Sequence, residues 1–228
     1  MTTAPAKAAR WLATLALLLA AEGCGTLRCL FFRCEGTPRE LYRLTLPDTT
    51  ASPGDGMQAR PLSGSMAITT YATPGIYSGA GIVFRKGDIE YGFYPNREWA
   101  VPLGEQLGVV TERVLTRAPL STEGAVFDPP SRRAQTYIWR GTIREFEEVN
   151  RGNQVLAAVR IDVRILRSAD DSIVWSGSAR AEGPASANSM AGIVRTLSTL
   201  ADSVVSELAG RARRDLSSAI RTGGAPPQ

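Results

Sequence analysis

Three cysteines are the most reactive side chains in this chain, and the first sits in a context that assigns it a reaction. Lys7 and Arg10 make a basic start, Trp11 to Ala21 is an apolar run, and Ala21-Glu22-Gly23-Cys24 follows. A basic start and a short apolar core are the marks of an export signal. The run is too short to span a bilayer, which takes roughly 17 to 25 apolar residues. Small residues at the −3 and −1 positions before a cysteine are what a bacterial lipoprotein signal peptidase reads, and Cys24 would then become the diacylated first residue. Glu22 at −2 is an irregularity, and the alternative is an ordinary secretory signal cleaved elsewhere. Two or three acyl chains hold a protein on a membrane far better than one. Gly25 is not the Asp that commonly retains lipoproteins in the inner membrane, so the expected address is the outer membrane, facing the periplasm. Cys29 and Cys34 bracket Leu30-Phe31-Phe32-Arg33. With Cys24 acylated they leave an even pair in an oxidising compartment, open either to a small-loop disulfide or to two free thiols.

Other chemistry is scarce. Histidine is absent, which removes Ser-His-Asp and Cys-His catalysis and histidine metal sites. Three cysteines cannot make a Cys₄ zinc site, and neither a phosphate-binding G-x-x-x-x-G-K-[ST] nor a G-x-S-x-G or S-x-x-K occurs. Gly79-Ala80-Gly81 lacks the third glycine and the helix of a phosphate loop and reads as a bend or bulge. Glu147-Glu148 and Asp170-Asp171 are the paired carboxylates available for acid–base work. Neighbours on a strand point to opposite faces, so the first pair cannot share a proton, and the second sits in a turn, where Asp serves local hydrogen bonding. Trp99, Trp139 and Trp175 could line a groove, but their apolar neighbours favour core packing or an interface anchor. No catalytic residue, metal site or cofactor site is assigned, and the expectation is a protein that is not an enzyme.

The elements that carry these residues follow from composition and periodicity. The chain has 228 residues, 43% hydrophobic and 21% charged, the profile of a folded domain with tails. A net charge of +4, nearly all arginine, argues for no nucleic acid. Ile82 to Leu115 is the organising stretch. Ile82–Phe84 and Ile89–Tyr94 read as a hairpin about Lys86-Gly87-Asp88, with Ile89, Tyr91 and Phe93 on one face and Pro95-Asn96 ending the strand. A helix follows with Trp99 at its entrance and Pro102 in its first turn. Leu103, Leu107, Val110, Val114 and Leu115 recur at helical spacing, with Glu105, Thr111, Glu112 and Arg113 on the other faces. Upstream, Glu40–Leu46 and Met66–Tyr71 read as strands, with 48–65 a surface loop. Downstream, Pro119–Phe127 reads as a strand, and three further runs form a meander. The phase of Tyr137, Trp139, Gly141 and Ile143 breaks before Phe146, which predicts a bulge near Arg144. Val155, Ala157, Val159, Ile161, Val163 and Ile165 then alternate without a fault, and Ile173–Ala179 returns. After a 183–187 linker, Asn188 or Ser189 caps a long helix whose stripe runs from Met190 to Leu208. Its basic end, Arg211–Arg221, suits the helix dipole or anionic headgroups.

Taken in order, the signal, YRLTLP, PGIYSGAGIVFR, REWAVPLGEQLGVVTERVL, TYIWRGTIREFEEV and AAVRIDVRIL resemble the ABC-type transport auxiliary lipoproteins, of the PqiC and YmbA type. The resemblance spans about Leu41 to Leu208, and Arg97, Trp99, Pro102 and Leu103 are its most telling residues. It implies a compact α/β fold on the periplasmic face of the outer membrane. It also implies a ring-forming homo-oligomer that docks onto an MCE-domain protein, with lipid transport powered by a separate ABC transporter. Only the lipid-bearing cysteine carries over, onto Cys24; Cys29 and Cys34 depart from the pattern. The expected organisation is a signal peptide (1–23), a lipidated tether (24–39), one α+β domain (40–221) and a tail (222–228). That domain is a mixed, largely antiparallel sheet with two main helices packed on it. The competing function is an envelope scaffold lipoprotein of a secretion or cell-wall machine.

Overall fold

One long strand is the frame of the sheet. The computed structural model describes residues 38–45, 60–185 and 189–221. Its strands are β1 (Glu40–Tyr42), β2 (Met66–Ile68), β3 (Gly81–Lys86), β4 (Glu90–Trp99), β5 (Ala125–Phe127), β6 (Tyr137–Arg151), β7 (Gln154–Arg167) and β8 (Ile173–Pro184). Helix α1 (Leu103–Arg117) joins β4 to β5, and helix α2 (Met190–Arg221) follows β8. One edge of β6 pairs antiparallel with β7, which pairs antiparallel with β8. The other edge is divided. β2 runs parallel to its Tyr137–Trp139 end and β3 parallel to its Glu148–Asn150 end. β4 returns antiparallel on β3, β1 adds parallel to the end of β4, and β5 adds parallel to β2. The result is the expected α+β domain, an open mixed sheet that is mostly antiparallel.

The bulge falls where the phase break places it. Ile143 pairs with Ile161 and Glu145 with Arg160, so Arg144 is the unpaired extra residue. It lets Ile143 and Phe146 both face the core across an odd spacing. On β7, Ala157, Val159, Ile161, Val163 and Ile165 are buried on one side, as their alternation requires. Gly152, at φ 59°, makes the tight turn between β6 and β7.

Both helices bury the expected faces. On α1 these are Leu103, Leu107, Val110, Val114 and Leu115; on α2, Met190, Ile193, Val194, Leu197, Ala201, Val204, Val205 and Leu208. Each of the larger side chains contributes about 1.5–3 kcal/mol when removed from water. Ser189 caps α2, its Oγ accepting from the Gly192 N–H at 3.1 Å. α2 packs on β7 and β8 and against α1. Close approach elsewhere depends on missing Cβ atoms. One added at Gly108 would lie 2.1 Å from the Phe127 ring, and one at Gly141 would lie 2.1 Å from the Tyr71 ring.

Several boundaries differ from the sequence reading. β4 does not end at Pro95-Asn96. Val83 pairs with Phe93 and Gly81 with Glu98, so Tyr94 to Arg97 form a wide bulge that accommodates Pro95 and the φ 56° of Asn96. The strand then resumes beside β1. β1 ends at Tyr42, because the backbone beyond it turns to the helices: Leu44 N–H donates to Gln106 Oε1 and Thr45 N–H to Ser198 Oγ, while Leu46 lies outside the described residues. β2 stops at Ile68, and Tyr71 N–H goes instead to Gly104 O at the start of α1. The 119–127 strand shrinks to β5, since Ser121 and Gly124 (φ 86°) make a turn within it. β8 continues through Gly183-Pro184, which an edge strand tolerates. Thr111, placed by periodicity away from the core, is fully buried.

Candidate functional site

Cys24, Cys29 and Cys34 lie outside the described residues, as do the signal segment and the tail. The remaining candidates fall within the domain, and the structure gives each a place.

Glu147 and Glu148 point to opposite faces, as alternation requires, and both are buried. Glu147 accepts from Arg85 Nε at 2.6 Å and from the Tyr77 hydroxyl. Arg85 also donates to Gly87 O at 3.2 Å, which ties the hairpin turn to β6. Burial, and then the bond to Glu147, push the Tyr77 phenol well above its ordinary range. Burial acts to lower the pKa of Arg85, but Glu147 more than offsets it and the net shift is upward. Glu148 accepts from Tyr94 Oη at 2.7 Å and Asn150 Nδ2 at 2.6 Å. The Tyr94 phenol is raised too, by burial first and Glu148 second. These phenols remain donors, and the carboxylates have filled acceptor sites. Their work is to lock β3 and β4 onto β6. The sequence placed the carboxylates on opposite faces and missed their burial, because Tyr77 and Arg85 lie 70 and 62 residues away from Glu147.

Asp170 and Asp171 make the expected turn. Asp170 Oδ1 accepts from Ser172 N–H and Oγ at 3.0 and 2.7 Å, and these bonds hold its carboxyl below the usual carboxylate range. The tryptophans line no common groove. Trp99 packs edge-on against Phe146, with ring centres 5.8 Å apart. Trp175 Nε1 donates to Asp215 of α2 at 2.9 Å. Trp139 Nε1 donates to Tyr71 Oη at 2.9 Å, and the Tyr71 hydroxyl lies 2.6 Å from Thr111 Oγ1, which itself donates to Leu107 O at 2.8 Å. Since the Thr111 proton is committed to that carbonyl, Tyr71 is the donor, and one directional chain links β6, the 69–72 segment and α1. The basic end of α2 is occupied structurally. Arg213 donates to Ala118 O at 2.6 Å, just past the end of α1, and Arg211 to Ser178 O at 2.8 Å.

What remains is surface. Tyr91 and Phe93 share a face of the β3–β4 hairpin as expected and both are exposed, whereas Ile89 falls in the turn before β4 rather than on the strand and is 90% exposed at the tip. Three exposed apolar side chains on one hairpin are a mark of an interaction surface. Arg85 lies 5.9 Å from the Tyr91 ring centre and Arg97 lies 5.5 Å from that of Tyr94. Two grooves accompany the hairpin and α1. One, of about 650 Å³, is lined by Phe84, Lys86, Tyr94, Glu148, Asn150 and Val155. The other, of about 420 Å³, lies between Arg43-Leu44-Thr45 and the outer side of α1, with Val101, Val109 and Arg113 on its walls. Among the described residues no His/Cys/Asp/Glu group could hold a metal ion, and no helix is long and apolar enough to cross a membrane.

The model of one family, described as ABC-type transport auxiliary lipoprotein component, matches residues 42–209. No curated protein matches the sequence. Among solved structures, protein XCC0632 from Xanthomonas campestris, of the DUF330 family, is similar with a TM-score of 0.63 at 17% identity, over 80% of this chain and 99% of that one. An uncharacterised protein gives 0.58 at 15% identity, over 77% and 99%. The PelC dodecamer from Paraburkholderia phytofirmans gives 0.43 at 13% identity, over 66% and 90%. At these identities the structural likenesses of the first two show a shared fold.

Proposed function

Because this chain belongs to the ABC-type transport auxiliary lipoprotein components, we propose that it serves a lipid-transport machine of the cell envelope as a docking subunit without catalysis of its own. The match across residues 42–209 is the observation that carries this reading. Several features agree with it. The polar side chains that look most like acid–base machinery, Glu147 and Glu148, are spent on joining the hairpin to the sheet. The apolar side chains that a monomer gains nothing by exposing, Ile89, Tyr91 and Phe93, are all exposed on one hairpin.

In this reading Cys24 carries the acyl chains and holds the domain on the periplasmic side of the outer membrane. Copies assemble into a ring and dock onto an MCE-domain protein, while ATP hydrolysis belongs to a separate subunit. Fractionation tests the anchor. Wild-type protein is expected in the outer-membrane fraction, and Cys24→Ala in the soluble periplasm. A protein that neither fractionates with membranes nor associates with any MCE-type protein contradicts the proposal. Turnover of lipid esters that survives Cys24→Ala and dies with one serine or carboxylate substitution contradicts its non-catalytic part.

A further inference from the structure

The polar face of β6, β7 and β8 carries a lattice of ion pairs, in which even Arg180, opposite Arg160, is held by two carboxylates. Arg144 meets Asp162 at 2.6 Å, Arg180 meets Glu145 and Glu182 at 2.8 and 2.7 Å, and Arg151 meets Glu182 at 2.7 Å. Toward the start of β6 the pattern fails. Arg140 stands directly opposite Arg164, both are exposed, and neither has an ion pair among the described residues. Like charges opposed across two strands destabilise a sheet. The next rung on that face is apolar across five strands in register: Val126, Ala67, Ile138, Leu166 and Ile173. Its outer members Val126 and Ile173 are exposed.

The same chain displays the complement. The tip of the β3–β4 hairpin is Asp88-Ile89-Glu90, an exposed isoleucine between two exposed carboxylates. Their own partners are weak: Arg85 at 3.8 Å from Asp88, already held by Glu147, and Lys86 at 3.5 Å from Glu90. The tip cannot reach the arginines of its own copy. Gly87 N–H bonds to Asn150 O, which pins the tip to the far end of β6. From Asn150 to Arg140 is about ten residues of strand, roughly 30 Å at its rise per residue.

We propose that the Arg140–Arg164 ledge receives the Asp88-Ile89-Glu90 tip of a second copy of this chain. The two carboxylates face the two guanidiniums, and Ile89 seats against the apolar rung at Ile173. Tip and ledge are different surfaces at opposite ends of the molecule, so the contact is head-to-tail, the kind that closes into rings. The inference rests on the self-assembly in the reading above and names the surface that produces it.

Charge exchange tests it on the full-length protein in detergent, with mass measured by sedimentation equilibrium. Wild type is expected as an oligomer. Arg140→Glu with Arg164→Glu, and separately Asp88→Lys with Glu90→Lys, are expected to lose it while keeping their circular dichroism, since all four side chains are exposed. Mixing the two variants restores opposite charges at every junction, so an alternating, even-membered oligomer is expected to return. Ile89→Ser is expected to weaken assembly without touching either charge set. A monomeric wild type, reversal variants that keep wild-type mass, or a mixture that stays monomeric would overturn the inference. A monomer still captured with transporter subunits would leave the docking role standing and remove the ring.

Discussion

Tyr71 is the residue on which the centre of the domain converges. It accepts from the Trp139 N–H and donates its own O–H to Thr111, all within a buried site. Tyr71→Phe leaves that indole N–H without a partner, which costs about 1–3 kcal/mol and is read as a lower urea midpoint. Burial pushes the Tyr71 phenol up to about 12 from its ordinary 10.0. The folded state therefore favours the protonated form. Stability from this group is complete below the unfolded pKa of about 10 and is lost as pH rises from there through the folded value. The loss is on the order of 2–3 kcal/mol between about pH 10 and 12, and melting of Tyr71→Phe should fall less steeply there than wild type. Glu147 answers to the same logic of burial. Glu147→Leu strands the Arg85 guanidinium and is expected to cost about 3–5 kcal/mol, whereas adding Arg85→Met should recover much of it. Equal stability of single and double variants in chemical denaturation would show that the pair is not coupled.

At the scale of elements, Arg144 is the hinge of the sheet. It is the one unpaired residue between two phases of β6. Its deletion would move every side chain on one side of the bulge to the wrong face, exposing Ile143 and Trp139 or Phe146. Loss of cooperative unfolding is the expected result; a fully cooperative deletion variant would mean the register is set elsewhere. Removing the cap is a milder change, with Ser189→Ala lowering stability by about 1 kcal/mol in urea titration. The bulge, the cap, both helix faces and the β6–β8 meander were legible in the sequence because each is written in local periodicity. The parallel joins of β1 to β4, β2 to β6 and β3 to β6 were not, since they link residues tens of positions apart through irregular crossovers. Pro95 and Asn96 gave a true signal of broken pairing, but a signal of that kind does not distinguish the end of a strand from a wide bulge within it. The site was legible only as exclusions: no sequence pattern showed that Ile89, Tyr91 and Phe93 face solvent, because alternation fixes which side chains share a face and not which face is covered.

Over the whole molecule, a domain whose buried carboxylates and phenols are bonded to one another turns exposed apolar hairpin side chains and opposed arginines outward. That distribution suits a part whose activity is to be in the right place beside other parts. The central claim, a non-catalytic subunit of a lipid-transport machine, is tested most directly by what the protein holds in its native membrane. Membranes are solubilised gently, the protein is captured through a C-terminal tag, and its companions are identified by mass spectrometry. Recovery of an MCE-domain protein with its ABC transporter subunits is the predicted result. Recovery of secretion or cell-wall proteins in their place would contradict the account and make the chain a scaffold for a different machine.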